Sequence, residues 1–265
     1  MDESLSGNGG DAMKKYVRYL YNNQTFYGML ADDKIHFIDG DIFAVHTVTN
    51  RIIRIDEAVL LAPCQPSKAV CIGLNYHDHA AEMKLALPKE PLIFLKPSSA
   101  VIGPGAGIEY PAISHNLHYE GEFAVVIGKT ARNVSAQQAY DYIFGYTCAN
   151  DVTARDIQMA DGQWTRGKSF DTFLPLGPCI VNGIDPHTVD IKLYVNDEVK
   201  QSSNTCQLIF SVPAIVEHIT KVMTLYPGDV ILTGTPSGVG PMQIGDVVTV
   251  ELSGIGRLTN PIVRG

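Results

Sequence analysis

The sequence predicts an α+β, mostly β protein with a barrel-like core. Three observations carry this: short runs of alternating apolar and polar residues, frequent interruption by 24 Gly and 15 Pro, and no strand-helix-strand rhythm of the kind that builds a parallel sheet. The chain has 265 residues, 45% of them apolar and only 18% charged, enough to bury a sizeable core in one large domain or one domain with a small appendage. With 20 Lys and Arg against 28 Asp and Glu the net charge is -8, so no basic footprint exists for phosphates and no nucleic-acid partner is expected. Apolar runs such as Ala124 to Ile127 are far below the roughly 20 residues of a membrane span, so no membrane partner is expected either.

Taken in order, Met1 to Ala12 is rich in Gly, Ser and Asp, lacks an apolar stretch and is followed by a second Met, Met13, which predicts a flexible tail. From Lys15 to about Leu61, Tyr16 to Tyr21, Phe26 to Leu30 and Ile35 to Ile38 alternate as short strands of a small antiparallel sheet. The Pro-containing segment Ala62 to Ser67 then marks a boundary, giving a small N-terminal β domain over 13–64 and a larger domain over 65–265.

Beyond it, Lys68 to Gly73 reads as a buried strand, Tyr76 to Leu85 as a short helical lid ending before Pro88, and Leu92 to Leu95 and Glu122 to Gly128 as strands. Ser135-Ala-Gln-Gln138 has the pattern of a capping box opening a helix that runs to about Ile143. Ile191 to Val195 and Glu198 to Gln201 flank an Asn196-Asp197 turn, and Val212 to Met223 has helical spacing. Asp229 to Thr233, Val247 to Glu251 and Arg257 to Val263 return to strands separated by Gly. Five cysteines, Cys64, Cys71, Cys148, Cys179 and Cys206, form no C-x-x-C pair, and three lie in apolar stretches. They read as reduced thiols of a cytoplasmic protein, with no nucleophile among them.

The strongest local chemical signal is His118-Tyr-Glu120-Gly-Glu122. Residues two apart on a strand share a face, so Glu120 and Glu122 would present paired carboxylates beside a buried run. Such a pair repels unless a cation sits between them, and all-oxygen ligands favour Mg2+, Mn2+ or Ca2+ over zinc. Asp151, in Asn150-Asp-Val-Thr-Ala-Arg-Asp156, is the candidate third acid. The competing reading is an ordinary exposed strand end. His79 and Glu82, three apart, share a helix face, where a carboxylate can fix the imidazole tautomer and leave the other nitrogen as a base. A casual surface pair is the alternative, with His77 and Asp78 solvent-facing or structural. Arg155, Gln158 and Lys168 would suit a substrate bearing a carboxylate and a second oxygen, with surface ion pairs as the competing explanation. The Gly-rich Thr233 to Gly240 could offer backbone N–H groups to an anion but lacks the Lys and spacing of a P-loop.

Read together, Gly73 to Glu82, Phe94-Leu-Lys-Pro97, His118 to Glu122, Asn150 to Asp156, Lys168-Ser-Phe170 and Leu225 to Pro236 resemble the fumarylacetoacetate hydrolase family from Lys68 to the C-terminus, and the N-terminal sheet looks like that of bacterial members of similar length. The resemblance implies a mixed β-roll catalytic core over 65–265, assembled as a homodimer. It also implies Mg2+, or alternatively Mn2+ or Ca2+, on Glu120, Glu122 and Asp151. His79 and Glu82 match the lid pair that activates water, Lys168 a catalytic and substrate-holding position, and Arg155, Gln158 and Thr235 positions that contact substrate oxygens. The implied activity is hydrolysis of C–C bonds in acylpyruvate or fumarylpyruvate-type 2,4-dioxo acids through a chelated enolate, as in aromatic compound catabolism. Isomerisation of 2-hydroxyhepta-2,4-diene-1,7-dioate, tautomerisation of an oxo acid and oxaloacetate-type decarboxylation are the alternatives. A non-catalytic β-domain on the same scaffold is the contrasting class. Leu74 and His77 flank Asn75-Tyr76 where relatives often carry an Arg, so the lid is expected to meet the distal end of its small 2-oxo or 2-hydroxy-dienoic acid differently.

Overall fold

The computed structural model describes residues 13–265, so the tail expected over 1–12 lies outside the described residues. The observed class is α+β and mostly β, as expected. Its backbone is a 12-stranded sheet whose main path runs, in spatial order, His46–Arg54, Lys34–Gly40, Gln24–Ala31, Lys15–Tyr21, Leu174–Val181, Ile143–Asn150, Gly121–Ile127, Val230–Leu232, Lys68–Gly73 and Leu92–Pro97. Val59–Leu61 and Val101–Ile102 pair off this path. The sheet expected over 15–61 is therefore continuous with the rest, because Lys15 and Tyr16 pair with Val181 and Ile180.

The centre of this sheet explains its sequence. All seven residues of Gly121–Ile127 are buried, flanked by antiparallel partners on both sides, so the strand needs an uninterrupted apolar run rather than alternation. Burying each large side chain there contributes roughly 1.5–3 kcal/mol, which helps offset the cost of the carboxylates at its entrance. The parallel neighbours Lys68–Gly73 and Val230–Leu232 are aligned by Asp229, whose buried carboxylate accepts from Ser67 N and Oγ, Tyr226 N and, at 2.6 Å, Lys68 Nζ.

A second sheet orders Glu198–Asn204, Asp190–Val195, Val247–Leu252, Gly256–Arg264 and Ile108–Tyr110, and a third small one joins Thr153–Ala154, Leu117–Tyr119 and Gly240–Met242. The helix Val212–Val222 buries Val212, Ile215, Val216, Ile219 and Thr220, one face at 3.6-residue spacing, and has Pro in its first turn.

Three local expectations differ. The helix expected from Ser135 is a 3-10 helix, Ala136–Tyr142: Ser135 makes no cap to the backbone, its hydroxyl donating instead to the Gln138 side chain at 3.0 Å. The lid helix is shorter, His77–Glu82. The strand containing Glu122 starts at Gly121, and Glu120 occupies the break between it and Leu117–Tyr119.

Candidate active site

That break does not separate the two glutamates. Ligand oxygens of Glu120, Glu122 and Asp151 lie within 4.8 Å of one another, and all three residues are buried. Glu120 is set by its own backbone, its N–H donating to Asn150 Oδ1 at 3.0 Å, and Glu122 by the first turn of the ladder with Ala149. Asp151 follows the strand Ile143–Asn150 directly, and its N–H donates to Glu120 O at 2.8 Å. Two antiparallel neighbours thus deliver three acids to one end of the sheet.

The cations around them are unevenly shared. Lys168 Nζ donates to Glu120 Oε2 and Asp151 Oδ2, both at 2.7 Å, and Arg155 pairs with the other oxygen of Glu120 while holding Gln158 Oε1 at 2.6 Å. Lys96, in Phe94-Leu-Lys-Pro97, is fully buried with Nζ 2.6 Å from Asp151 Oδ1. Among the described residues Glu122 has no ion-pair partner: its carboxylate accepts the Gly234 N–H at 2.6 Å.

Protonation follows that distribution. Burial opposes ionisation of Glu120, yet Lys168 and Arg155 bring its carboxyl down to about 2. For Glu122, burial first and then Asp151 and Glu120 push the carboxyl well above the usual carboxylate range. Burial lowers Lys96 against the pull of Asp151. Lys168, buried as deeply, is raised because Asp151 and Glu120 outweigh desolvation. Burial and then Arg155 hold His118 down to about 4, so it is neutral at physiological pH.

These observations test whether the residues fit a metal. Three carboxylates converge with oxygen donors only, and among the described residues one of them, Glu122, is buried beside like charges with no ion-pair partner. That donor set suits a hard dication such as Mg2+ or Mn2+ and not a thiolate-seeking metal. The residues fit.

Opposite them, a cavity of about 260 Å³ is lined by the three acids, His79, Arg155, Gln158, Lys168 and Thr235. Every candidate metal-ligating, catalytic and substrate-contacting residue lines it except Glu82, which stands behind His79: Nδ1 of His79 lies 3.1 Å from Glu82 Oε2, leaving Nε2 as the free nitrogen. Arg155 and Lys168 are not surface pairs but partners of the acids. The Gly-rich loop does hold anions with its backbone, but they are the protein's own, since Gly234 N–H serves Glu122 and Gly238 N–H serves Glu82 at 3.1 Å. His77 is exposed as expected, and Asp78 is structural, accepting from Ser203 Oγ at 2.5 Å. Two contributors escaped the sequence reading, Lys96 and Gln201. A lysine directly after the apolar Leu92 to Leu95 run was the available signal for the first, and the alternating strand around Gln201 offered none.

Residues 68–263 match the fumarylacetoacetate (FAA) hydrolase C-terminal family, and 14–63 the Rv2993c-like, N-terminal family. The chain belongs to the fumarylacetoacetate hydrolase family. Within it, the chain is 45% identical over 217 residues, 77% of its length and 68% of the other's, to the mitochondrial oxaloacetate tautomerase fahd2 of Xenopus laevis. It superposes on a 2-hydroxyhepta-2,4-diene-1,7-dioate isomerase from Mycobacterium marinum with a TM-score of 0.89 at 44% identity, covering 95% of this chain and 98% of that one. A maleylpyruvate hydrolase from Sphingobium sp. SYK-6, solved with manganese(II) and pyruvate, matches with a TM-score of 0.80 at 29% identity over 95% and 99% of the two chains. The fumarylacetoacetate hydrolase family thus includes tautomerases, isomerases and hydrolases, and is metal-dependent. Among the described residues no helix is long and apolar enough to cross a membrane.

Proposed function

We propose that this chain is a divalent-metal-dependent enzyme that enolises a small 2-oxo acid and shifts its proton, as an isomerase or tautomerase. The observation that carries this is the placement of three buried carboxylates and the His79–Glu82 pair on one cavity. Mg2+, or alternatively Mn2+ or Ca2+, held by Glu120, Glu122 and Asp151 would supply Lewis acidity toward the substrate's 2-oxo group.

The chain's residues do the rest. Nδ1–H of His79 donates a hydrogen bond to Glu82, so Nε2 takes a proton from C3 of the substrate, the C–H electron pair moves into a C2–C3 double bond, and the 2-oxo oxygen takes up the negative charge. Returning the proton to a different atom completes the shift. Lys168 holds Glu120 and Asp151, Arg155 holds Glu120, and Thr235 and Gln158 stand on the cavity wall.

Hydrolysis of acylpyruvates or fumarylpyruvate, the outcome expected from the sequence, is the second reading. The same pair would activate water toward a carbonyl two carbons along, and the 29%-identical hydrolase supports it. The relatives at 44 and 45% identity support the proton shift. A homodimer belongs to the same proposal, with light scattering expected to return twice the chain mass.

The test is a panel of acetylpyruvate, fumarylpyruvate, oxaloacetate and the hydroxydiene diacid, with Mg2+ and with Mn2+. Keto-enol or double-bond shifts are followed by ultraviolet absorbance, C–C cleavage and CO2 loss by coupled assays. A proton shift faster than cleavage is the expected result. Faster cleavage selects the second reading, and no turnover at any metal concentration defeats both.

A further inference from the structure

We propose that Gln201 is a positioning residue that ties the carboxylate cluster to the His79–Glu82 pair through the turn Thr235 to Gly238. Gln201 is 1% exposed and lies on Glu198–Asn204 in the second sheet, outside the cavity lining. Its side-chain carbonyl accepts the N–H of Gly121 at 2.9 Å, between Glu120 and Glu122. Its amide nitrogen donates to Thr235 Oγ1 and Pro236 O, both at 2.9 Å, with Ser237 O at 3.4 Å. Thr235 closes the ring by donating its hydroxyl to Gly121 O at 2.9 Å.

The turn so held ends at Gly238, whose N–H donates to Glu82 Oε1 at 3.1 Å and Oε2 at 3.3 Å, and whose carbonyl accepts the Tyr119 hydroxyl at 3.0 Å. Gly238 has φ +92°, and a Cβ there would lie 2.2 Å from Lys200 O, so the turn must run against the strand that carries Gln201. The same strand holds the start of the lid helix through Ser203 and Asp78.

Gly121 is the fixed end, since it pairs with Asn150 in the large sheet, and the turn is the carried end. The amide has the chemistry this needs. One end accepts and the other donates twice, whereas glutamate keeps only the accepting half and methionine neither. A buried side chain used at both ends fixes one geometry where an apolar residue would only fill space. The inference rests on the proposed role of His79 and Glu82, and the experiment separates the two.

Gln201→Met, Gln201→Glu and the milder Tyr119→Phe are made in wild type and in His79→Ala. Steady-state kinetics use the best substrate of the panel, calorimetry measures Mn2+ affinity, and hydrogen exchange follows the Gly238 amide in the metal-free protein. In the wild-type background each Gln201 variant is expected to lower kcat by about 10- to 100-fold and Tyr119→Phe by about 10-fold, as supporting residues do, with the Mn2+ Kd moved less than about threefold. In His79→Ala the same changes should cost less than about twofold, because the group they act through is already gone. The Gly238 amide should exchange about tenfold faster in both Gln201→Met and Tyr119→Phe. An undiminished cost in His79→Ala, a fall in Mn2+ affinity matching that in kcat, or unchanged exchange overturns the proposal. If wild type turns over nothing on the panel, the functional reading fails while the exchange result still judges Gln201.

Discussion

Glu122 is the residue on which the site turns. Lys168 serves Glu120 and Asp151 together, Lys96 serves Asp151 and Arg155 serves Glu120, but among the described residues Glu122 is hydrogen-bonded only by a peptide N–H. A carboxyl pushed up by burial and by two like charges is better tolerated protonated, so its ionised form costs the metal-free fold stability. The sign follows. A raised folded-state carboxyl means that stability declines as pH rises above the unfolded carboxylate range, and a glutamine escapes that decline. Glu122→Gln should therefore melt higher than wild type in EDTA, by a margin that grows from pH 5 to pH 8, while losing all metal-dependent stabilisation and activity. A margin that shrinks with pH would refute the charge distribution. At this scale the acids were legible, because Glu-x-Glu beside an apolar run and an Asp after another are written locally. Lys96 and Gln201 were not, because the charge and the peptide they satisfy lie 55 and 80 residues away.

The lid shows what an element owes to its surroundings. The helix His77–Glu82 has six residues and no side-chain cap, too short to persist alone. It is held at its start by Asn75, whose side chain reaches Thr233 O at 2.8 Å and exchanges hydrogen bonds with Phe210, and by Ser203 on Asp78. Glu82 fastens its end to Gly238. With the frame independent of the imidazole, His79→Ala should leave Mn2+ affinity unchanged and lower kcat by about two to four orders of magnitude, the usual worth of a general base. Kinetics and calorimetry on one preparation check this, and a comparable loss of metal affinity would contradict it. The spacing of His79 and Glu82 was readable as a helix face. The overestimate at both ends of the lid, and the 3-10 rather than α geometry of Ala136–Tyr142, arise because short helices take their form from packing rather than propensity.

For the whole molecule, the carboxylate cluster joins strands of the large sheet to Arg155, Lys168 and the loop at Gly234, so a bound dication should stabilise the entire fold. At a hundredfold excess over Kd a ligand specific for the folded state contributes about 2.7 kcal/mol. Chelation should lower Tm and abolish turnover together, and Mg2+ or Mn2+ should restore both. Restored activity with an unchanged Tm would place the ion elsewhere. By itself the sequence determined the β-rich class, the buried central strand and the amphipathic helix beginning at Val212, and it marked Glu120 with Glu122 and His79 with Glu82 as candidate pairs. Each of these is a pattern within a few residues whose period or charge physics acts locally. Only the tertiary structure decided that the N-terminal strands extend the main sheet, that two lysines and an arginine are spent on two of the acids, and that the glycine loop fastens a lid. Those outcomes depend on which distant backbone and side-chain groups are brought within hydrogen-bonding reach, and buried polar groups must find partners wherever the topology places them.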